Sequence, residues 1–208
     1  MFEIRQCTHP DCRLRIPIDP GLLCGDFCPR CGGMMVQVAA PYDNPQLAID
    51  VHPKRQIRVL LDNVRSAYNT GAIFRTADGI GAAHLYLCGI TPNPIDNPAI
   101  RKTALGAEIT LPWSVHLNAH DLGQALQNAG YRLLALETRP ESVPIFEFDP
   151  HTITSEAVVL VVGSEQAGVD PGIIDLCGGV LSVPMAGSKG SLNVAVAFGV
   201  AAYWLTFS

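Results

Sequence analysis

The sequence lacks any apolar run that approaches the roughly 18 to 20 residues needed to cross a bilayer. Its first residues, MFEIRQC, also lack the apolar segment of a secretory signal peptide. The sequence therefore shows neither a membrane span nor a signal for export. We therefore expect a cytoplasmic protein with no membrane partner.

Charged residues are also scarce. They make up 16% of the 208 residues, against 48% apolar residues, which excludes a disordered chain and predicts a well-packed one. The net charge of -5 does not by itself indicate a protein that binds nucleic acid. Residues 1–102 nevertheless hold 11 of the 14 lysines and arginines. Any surface that binds a polyanion should therefore come from the N-terminal half.

Cysteine is abundant only near the N-terminus, where five of the seven cysteines lie within residues 7–31. Two pairs are spaced like the ligands of one tetrahedral zinc ion: Cys7 and Cys12, Cys28 and Cys31. Cys24 is then a spare thiol, and His9 is a less favoured ligand. A disulfide framework and unligated cysteines are the alternatives, and a reducing cytoplasm disfavours the disulfides.

The segment CPRCGG resembles the knuckle of zinc-ribbon domains, over about residues 5–38. We predict a zinc-ribbon-like RNA-binding module over residues 1–40, in which the metal supplies folding free energy that so short a segment cannot gain from its own core. Residues 41–55 contain three prolines and are predicted to be a linker. The main domain is then residues 56–208.

Strand-like and helix-like segments alternate beyond the linker. The predicted strands are residues 57–61, 84–88, 113–115, 132–137, 157–162 and 180–183. The predicted helices are residues 72–79, with Asn69 or Thr70 as the cap, 98–106, 121–128 and 191–205, and residues 139–153 are a loop. This alternation predicts an α/β fold with a parallel sheet covered by helices on both faces. The last helix is apolar on nearly every side, which predicts packing into the core and against a second subunit.

Two of these strands end in glycine-rich loops: strand 157–162 precedes GSEQAG, and strand 180–183 precedes PMAGSKG. Open α/β sheets bind ligands at the carboxyl ends of strands, and glycine lets a ligand approach the backbone. The strongly polar side chains at these junctions are Glu165, Ser191 and Asn193. For either loop alone, an ordinary strand-to-helix turn is the alternative.

Together with residues 63–81, the two loops resemble the SpoU (TrmH-type) RNA 2′-O-ribose methyltransferases of the SPOUT superfamily. The first motif of that family is matched by Asn63, Asn69, Gly71, Arg75, Thr76 and Ala77. The second is matched by Gly163, Ser164, Glu165 and Gly168, followed by Pro184 and Met185, and the third by Ser191, Leu192, Asn193 and Val194. The resemblance covers about residues 56–208 and departs at Gln166, where glycine is common, and at Ala195, where serine is common.

The resemblance implies a homodimer, a C-terminal trefoil knot that sequence patterns alone do not reveal, and S-adenosylmethionine held in the knot. It also implies which residues form the site. The cofactor is expected at Leu136, Gly163, Val183, Met185 and Leu192. The expected catalytic group is Arg75, Asn69, Glu165, Ser191 and Asn193.

Within this group, Arg75 is expected to bind the target phosphate and orient the ribose hydroxyl, because a guanidinium with a pKa above about 12 is a poor base. Asn69 and Glu165 would position Arg75 and the ribose, and Ser191 and Asn193 would hold the junction between cofactor and substrate. The implied reaction is methyl transfer to a ribose 2′-hydroxyl of tRNA or rRNA. The alternatives are a knotted RNA-binding scaffold without catalysis and a SPOUT enzyme that methylates a base.

Overall fold

A computed structural model describes residues 1–22, 25–45, 50–153 and 157–208 of the chain. It divides into two compact units, Met1–Val51 and His52–Ser208. The predicted spare thiol, Cys24, lies outside the described residues. Within the described ranges, no helix is long and apolar enough to span a membrane.

The first unit contains a three-stranded antiparallel sheet in the order β2-β1-β3. Its strands are β1 Glu3–Cys7, β2 Arg15–Ile18 and β3 Met35–Gln37. Its buried apolar side chains among the described residues are Cys7, Ile18, Cys28 and Met35, and Cys7, Cys28 and Met35 form one cluster. Two of these four side chains are thiols, so apolar burial in this unit is limited.

The second unit is built on a seven-stranded sheet in the order β6-β5-β4-β9-β7-β10-β8, and all neighbouring strands run parallel. Its strands are β4 Gln56–Asp62, β5 His84–Cys88, β6 Trp113–His116, β7 Arg132–Leu136, β8 Val143–Pro144, β9 Ala157–Val162 and β10 Val180–Ser182. The central strand β9 pairs with β4 and β7 and is buried on both faces. This burial is why its sequence, AVVLVV, is continuously apolar and not alternating.

Helices cover both faces of this sheet. They are α1 Ala67–Gly79, α2 Arg101–Ala104, α3 Ala107–Thr110, α4 Ala119–Asn128, α5 Pro171–Leu176 and α6 Val194–Phe207, with 3-10 turns at Pro98–Ile100 and Pro150–Thr152. Phe74 of α1 and Phe198 of α6 are buried in the core on one face, and Leu126 of α4 and Ile173 of α5 in the core on the other. The predicted α/β fold with a parallel sheet between helices is confirmed.

The predicted start of α1 is wrong by more than one turn. The helix begins at Ala67 and not at residue 72, because Ser66 is its cap. Ser66 Oγ accepts a hydrogen bond from the Asn69 N–H at 3.3 Å. Asn69 and Thr70 therefore lie inside the helix, and the side chain of Asn69 is left available for other partners.

The predicted start of the last helix is also wrong. The helix begins at Val194, and Asn193 caps it by accepting a hydrogen bond from the Ala195 N–H at 2.9 Å. Ser191 and Leu192 consequently belong to the preceding loop. Asn193 was expected to act only in the site, but it also fixes the beginning of α6.

Three helices or strands of the second unit were missed in the sequence, and one of them is α3, which begins at Ala107, directly after the end of the predicted helix 98–106. Helix α5 follows Asp170, whose Oδ1 accepts from the Gly172 N–H at 2.7 Å, with Pro171 in the first turn. This Asp-Pro pair was an available signal for a helix start. Strand β8 lies inside the predicted loop 139–153 and has two residues, which is too short to show a period.

Helix α1 packs tightly against the turn that leads into α2. A Cβ atom added at Gly71, in the middle of α1, would overlap Thr103 Oγ1 and the carbonyl oxygen of Ile100. Glycine in a helix interior normally costs about 1 kcal/mol relative to alanine. The close contact explains why this position carries glycine nonetheless.

Gly71→Ala is therefore expected to lower the free energy of unfolding by about 1–3 kcal/mol, because the added methyl group forces α1 away from residues 100–103. Urea denaturation followed by circular dichroism measures the change. An alanine variant as stable as the wild type, as in an ordinary helix interior, would contradict this account of the contact.

Candidate active site

A cavity of about 270 Å³ lies at the carboxyl ends of β7, β9 and β10. Seven of the residues predicted for the site line it: Leu136, Gly163, Val183 and Leu192 from the cofactor set, and Glu165, Ser191 and Asn193 from the catalytic set. Met185 lines an adjoining cavity of about 370 Å³, which shares Thr138, Ser182 and Val183 with the first. The structure thus brings these loops together at the sheet edge where ligands bind in α/β proteins.

Glu165 joins the loop after β9 to the start of α1. Its carboxylate accepts hydrogen bonds from the N–H groups of Arg65 at 2.9 Å and Ser66 at 3.2 Å, and from Asn69 Nδ2 at 2.8 Å. Desolvation raises the pKa of Glu165, but these N–H donors outweigh it, and the pKa lies below its ordinary value. Glu165 is therefore a charged hydrogen-bond acceptor at neutral pH and not a proton donor.

Asn69 links Glu165 to Asn193. Asn69 Nδ2 donates to Glu165 Oε1, while Asn69 Oδ1 accepts from Asn193 Nδ2 at 3.0 Å. Asn193 Oδ1 in turn accepts from the Ala195 N–H. Each amide is thereby fixed in one orientation, since a reversed amide would place two donors or two acceptors together. The three motifs meet in this hydrogen-bonded network.

The loop after β9 is too tight for side chains at two positions. A Cβ atom at Gly163 would overlap the backbone of Gly168 and Val169. Gly168 has a φ of +75°, and Ser164 and Gly168 exchange backbone hydrogen bonds of 3.0 and 2.9 Å. These contacts close residues 164–168 into a compact turn that presents Glu165 to α1.

Two carboxylates that were missed in the sequence hold the same loop from outside. Glu137 Oε2 accepts from the Val169 N–H at 3.0 Å, and Glu137 also lines the cavity. Asp62 is 2% exposed, and its Oδ2 accepts from the Asp170 N–H at 2.9 Å. Burial raises the pKa of Asp62 in spite of its hydrogen bonds. Both residues end or directly follow an apolar strand, and that position was the available signal.

Arg75 is not brought into this network. Its side chain is exposed, and within the described part of the chain no hydrogen bond or ion pair joins it to another residue. Six helical residues separate it from Asn69, which places the two side chains about 120° apart around α1 and about 9 Å apart along its axis. The expected contact of Asn69 and Glu165 with Arg75 in the same chain is absent among the described residues.

The first unit brings four sulfur atoms together. The Sγ atoms of Cys7, Cys12, Cys28 and Cys31 all lie within 4.8 Å of one another. Four thiolates around one zinc at about 2.3 Å would be separated by about 3.8 Å, so the donor set fits a tetrahedral site. A Cβ atom at Gly33 would lie 3.2 Å from Cys7 Sγ, so glycine leaves room for the sulfurs. His9 is outside this set.

Comparison with known proteins agrees with this arrangement. Residues 56–203 match the SpoU rRNA methylase family. The chain belongs to this family. The matched region leaves out the first unit with its cysteine cluster, and it contains all three motifs of the hydrogen-bonded network.

Several members of the SpoU family are similar over most of the second unit. A tRNA (guanosine(18)-2′-O)-methyltransferase of Aquifex aeolicus is 32% identical over 162 residues, covering 74% of this chain and 71% of that protein. The 23S rRNA (guanosine-2′-O-)-methyltransferase RlmB of a Burkholderia species is 31% identical, covering 73% of this chain and 59% of that protein. An AdoMet-bound rRNA methyltransferase from Sinorhizobium meliloti superposes with a TM-score of 0.65 at 30% identity, covering 74% of this chain and 57% of that one. The chain thus spans little more than half the length of two of these three relatives.

The lowered pKa of Glu165 gives stability a defined pH dependence. Its hydrogen bonds contribute above the unfolded-state pKa of about 4.3, and the contribution is lost as the pH falls through the lower folded-state value. Glu165→Gln should therefore unfold more easily than the wild type at pH 7, and the difference should shrink below about pH 4. Chemical denaturation at both pH values measures this.

The exposed Glu147 provides the control, because its side chain makes no comparable hydrogen bonds in the described structure. Glu147→Gln should behave like the wild type at both pH values. If the Glu165→Gln difference is the same at low and neutral pH, the carboxylate charge does not contribute to the network.

Proposed function

We propose that this chain transfers a methyl group from S-adenosylmethionine to a ribose 2′-hydroxyl of tRNA or rRNA in the cytoplasm. The observation that carries the proposal is the Glu165–Asn69–Asn193 network at the cavity, in a chain of the SpoU family. The names of the Aquifex and Burkholderia relatives support the ribose hydroxyl as the acceptor. A base methyltransferase on the same fold has no comparable support.

The cavity suits S-adenosylmethionine, which supplies an electrophilic methyl group on a sulfonium. Leu136, Val183 and Leu192 offer an apolar wall, and Gly163 lines the cavity beside them. Met185 would close the adjoining cavity over the rest of the cofactor. We also propose that the loops at the ends of β9 and β10 form the trefoil knot implied by the family resemblance.

The chemical task of the protein is mainly one of alignment. The ribose oxygen must be held in line with the methyl carbon and the sulfur, and holding two reactants in such a geometry supplies much of the rate enhancement. Asn69, Asn193 and Ser191 face the ribose in this proposal, and Glu165 fixes the two amides. The carboxylate of Glu165 is engaged with three N–H donors, which makes it a positioning residue and not the proton acceptor.

We place Arg75 on the surface where two copies of the chain pair. Tyr68 lies seven residues before Arg75, on the same side of α1, and is 54% exposed. Val196 and Tyr203 form the exposed side of α6, and a Cβ at Gly79 would lie 3.2 Å from Tyr203 Oη, so the two surfaces adjoin. A homodimer through this apolar surface would bury it and carry Arg75 of one copy toward the site of the other.

We further propose that the four clustered cysteines bind one structural zinc ion and that the first unit captures RNA. Thiolate ligands and a closed tetrahedral set are typical of structural zinc. Arg13, Arg15 and Arg30 are exposed on this unit and carry positive charge for phosphate contacts. The metal therefore serves folding, and the arginines serve RNA binding.

The first experiment is methyl transfer from labelled S-adenosylmethionine to unmodified tRNA and rRNA, followed by nuclease digestion and nucleoside analysis. We expect a 2′-O-methylnucleoside in one RNA fraction. A methylated base would keep the family and overturn the ribose assignment. Binding of S-adenosylmethionine without transfer to any RNA would favour the non-catalytic scaffold.

Arg75→Ala should reduce the transfer rate at least 100-fold, because the phosphate and the hydroxyl lose their orienting cation. Calorimetric titration should show nearly unchanged binding of S-adenosylmethionine, since Arg75 does not line the cavity. Loss of cofactor binding in this variant would overturn the role given to Arg75.

Replacing both Cys28 and Cys31 with Ser should release the zinc and weaken RNA binding, because the first unit loses the metal that folds it. Metal content by mass spectrometry and RNA binding by filter retention measure the two effects. Cys177→Ser is the matched control, since this thiol lies in the second unit and donates to the Ile173 carbonyl. Unchanged zinc in the double variant would rule out the site.

A further inference from the structure

Arg65 directly precedes Ser66, the cap of α1, and is hydrogen-bonded to the loop after β9 at two points. Its backbone N–H donates to Glu165 Oε2 at 2.9 Å, and its Nη1 donates to Gln166 Oε1 at 2.6 Å. Glu165 lines the cavity, so Arg65 is one hydrogen bond away from the site. Neither Arg65 nor Gln166 belongs to the residues assigned to catalysis or to cofactor binding above.

The partner of the Arg65 side chain is the neutral amide of Gln166. This amide fixes the position of the guanidinium but does not neutralise its positive charge. Two other arginines of the chain are paired with carboxylates, Arg5 with Asp26 at 2.8 Å and Arg139 with Glu141 at 2.7 Å, whereas Arg132 donates to backbone carbonyls. Across the described ranges, no carboxylate lies within ion-pair distance of the Arg65 guanidinium. The nearby carboxylate of Glu165 accepts a hydrogen bond from the backbone N–H of Arg65 and not from its guanidinium.

A guanidinium has five N–H donors in one plane, and the bond to Gln166 uses only one nitrogen. The remaining donors lie on an exposed side chain. A held, uncompensated guanidinium with free donors is suited to bind a phosphate through two parallel hydrogen bonds. Holding it in advance also lowers the conformational entropy that binding must remove.

We infer that Arg65 binds a phosphodiester group next to the ribose that is methylated, and that Gln166 positions the guanidinium for this contact. The inference rests on the proposed function, because a ribose that enters the cavity brings its own flanking phosphates to the mouth. Neither Arg65 nor Gln166 is among the residues that match the three motifs of the family. The pair is therefore a substrate-binding feature of this chain beyond the shared motifs.

Gln166→Glu tests the inference, because it keeps the shape of the side chain and turns the neutral partner into a carboxylate. The new ion pair should hold Arg65 more strongly but compensate its charge, and binding to unmodified tRNA and rRNA transcripts should weaken roughly fivefold to twentyfold. Arg65→Gln should weaken it to a similar extent. Between about 50 and 200 mM salt, each variant should also reduce the slope of log affinity against log salt by about one phosphate contact.

A double-mutant cycle separates this mechanism from general repulsion of RNA by the added carboxylate. In the Arg65→Gln background, Gln166→Glu should have little further effect, because no guanidinium remains to be compensated. If Gln166→Glu costs the same with and without Arg65, the inference is wrong. It is also wrong if both single variants bind RNA like the wild type, which would mean that the pair only braces the loop.

Arg132→Gln is the matched control. Arg132 begins β7, at the opposite end of the strands from the cavity, and donates to the Thr152 and Gly178 carbonyls. Its removal should leave the salt dependence unchanged. S-adenosylmethionine affinity should be unaltered in all variants, which confirms that they are folded. RNA binding does not require methyl transfer. A wild type without transferase activity would therefore refute the proposed function, while the RNA affinities of the Arg65 and Gln166 variants would still test the inference.

Discussion

The second unit depends on one amide side chain that satisfies two partners at once. Asn69 donates to Glu165, 96 residues away, and accepts from Asn193, 124 residues away. The amide supplies both the donor and the acceptor that these two bonds need; aspartate would lose the donor and face Glu165 with a second negative charge. Asn69 therefore connects the beginning of α1, the loop after β9 and the cap of α6, and the Arg65 and Ser66 N–H groups add two further bonds to Glu165.

The acidic residues around the site are directed at the backbone. Glu165, Glu137 and Asp62 each accept N–H groups from the loop after β9 or from the start of α1. These carboxylates are engaged with backbone N–H groups, and none of the three is paired with an arginine side chain among the described residues. A chain with a net charge of -5 can thus present an unpaired cation such as Arg65 next to its cavity.

Local sequence signals were sufficient for six of the seven strands of the large sheet but not for the site network. The strand at residues 157–162 could be predicted because burial on both faces demands a continuous apolar run. The cap of α1 could not be chosen from sequence alone, since Ser66, Asn69 and Thr70 are all good caps, and tertiary contact with Glu165 reserves Asn69 for the site. Arg75 lies on a different side of α1 from Asn69 because both residues are inside the helix. The predicted start at residue 72 left Asn69 outside the helix, so this separation could not be predicted.

The small first unit obeys a different constraint from the second. Its buried cluster consists of Cys7, Cys28 and Met35, so two of the three side chains in this cluster are also members of the four-sulfur set. Free thiols bury little apolar surface, and a unit of this size gains little folding free energy from such a core. In the second unit, separate apolar cores lie on both faces of the sheet. Loss of the proposed zinc should therefore unfold the first unit and leave the second folded, which would make the proposed RNA capture and the proposed methyl transfer separable by experiment.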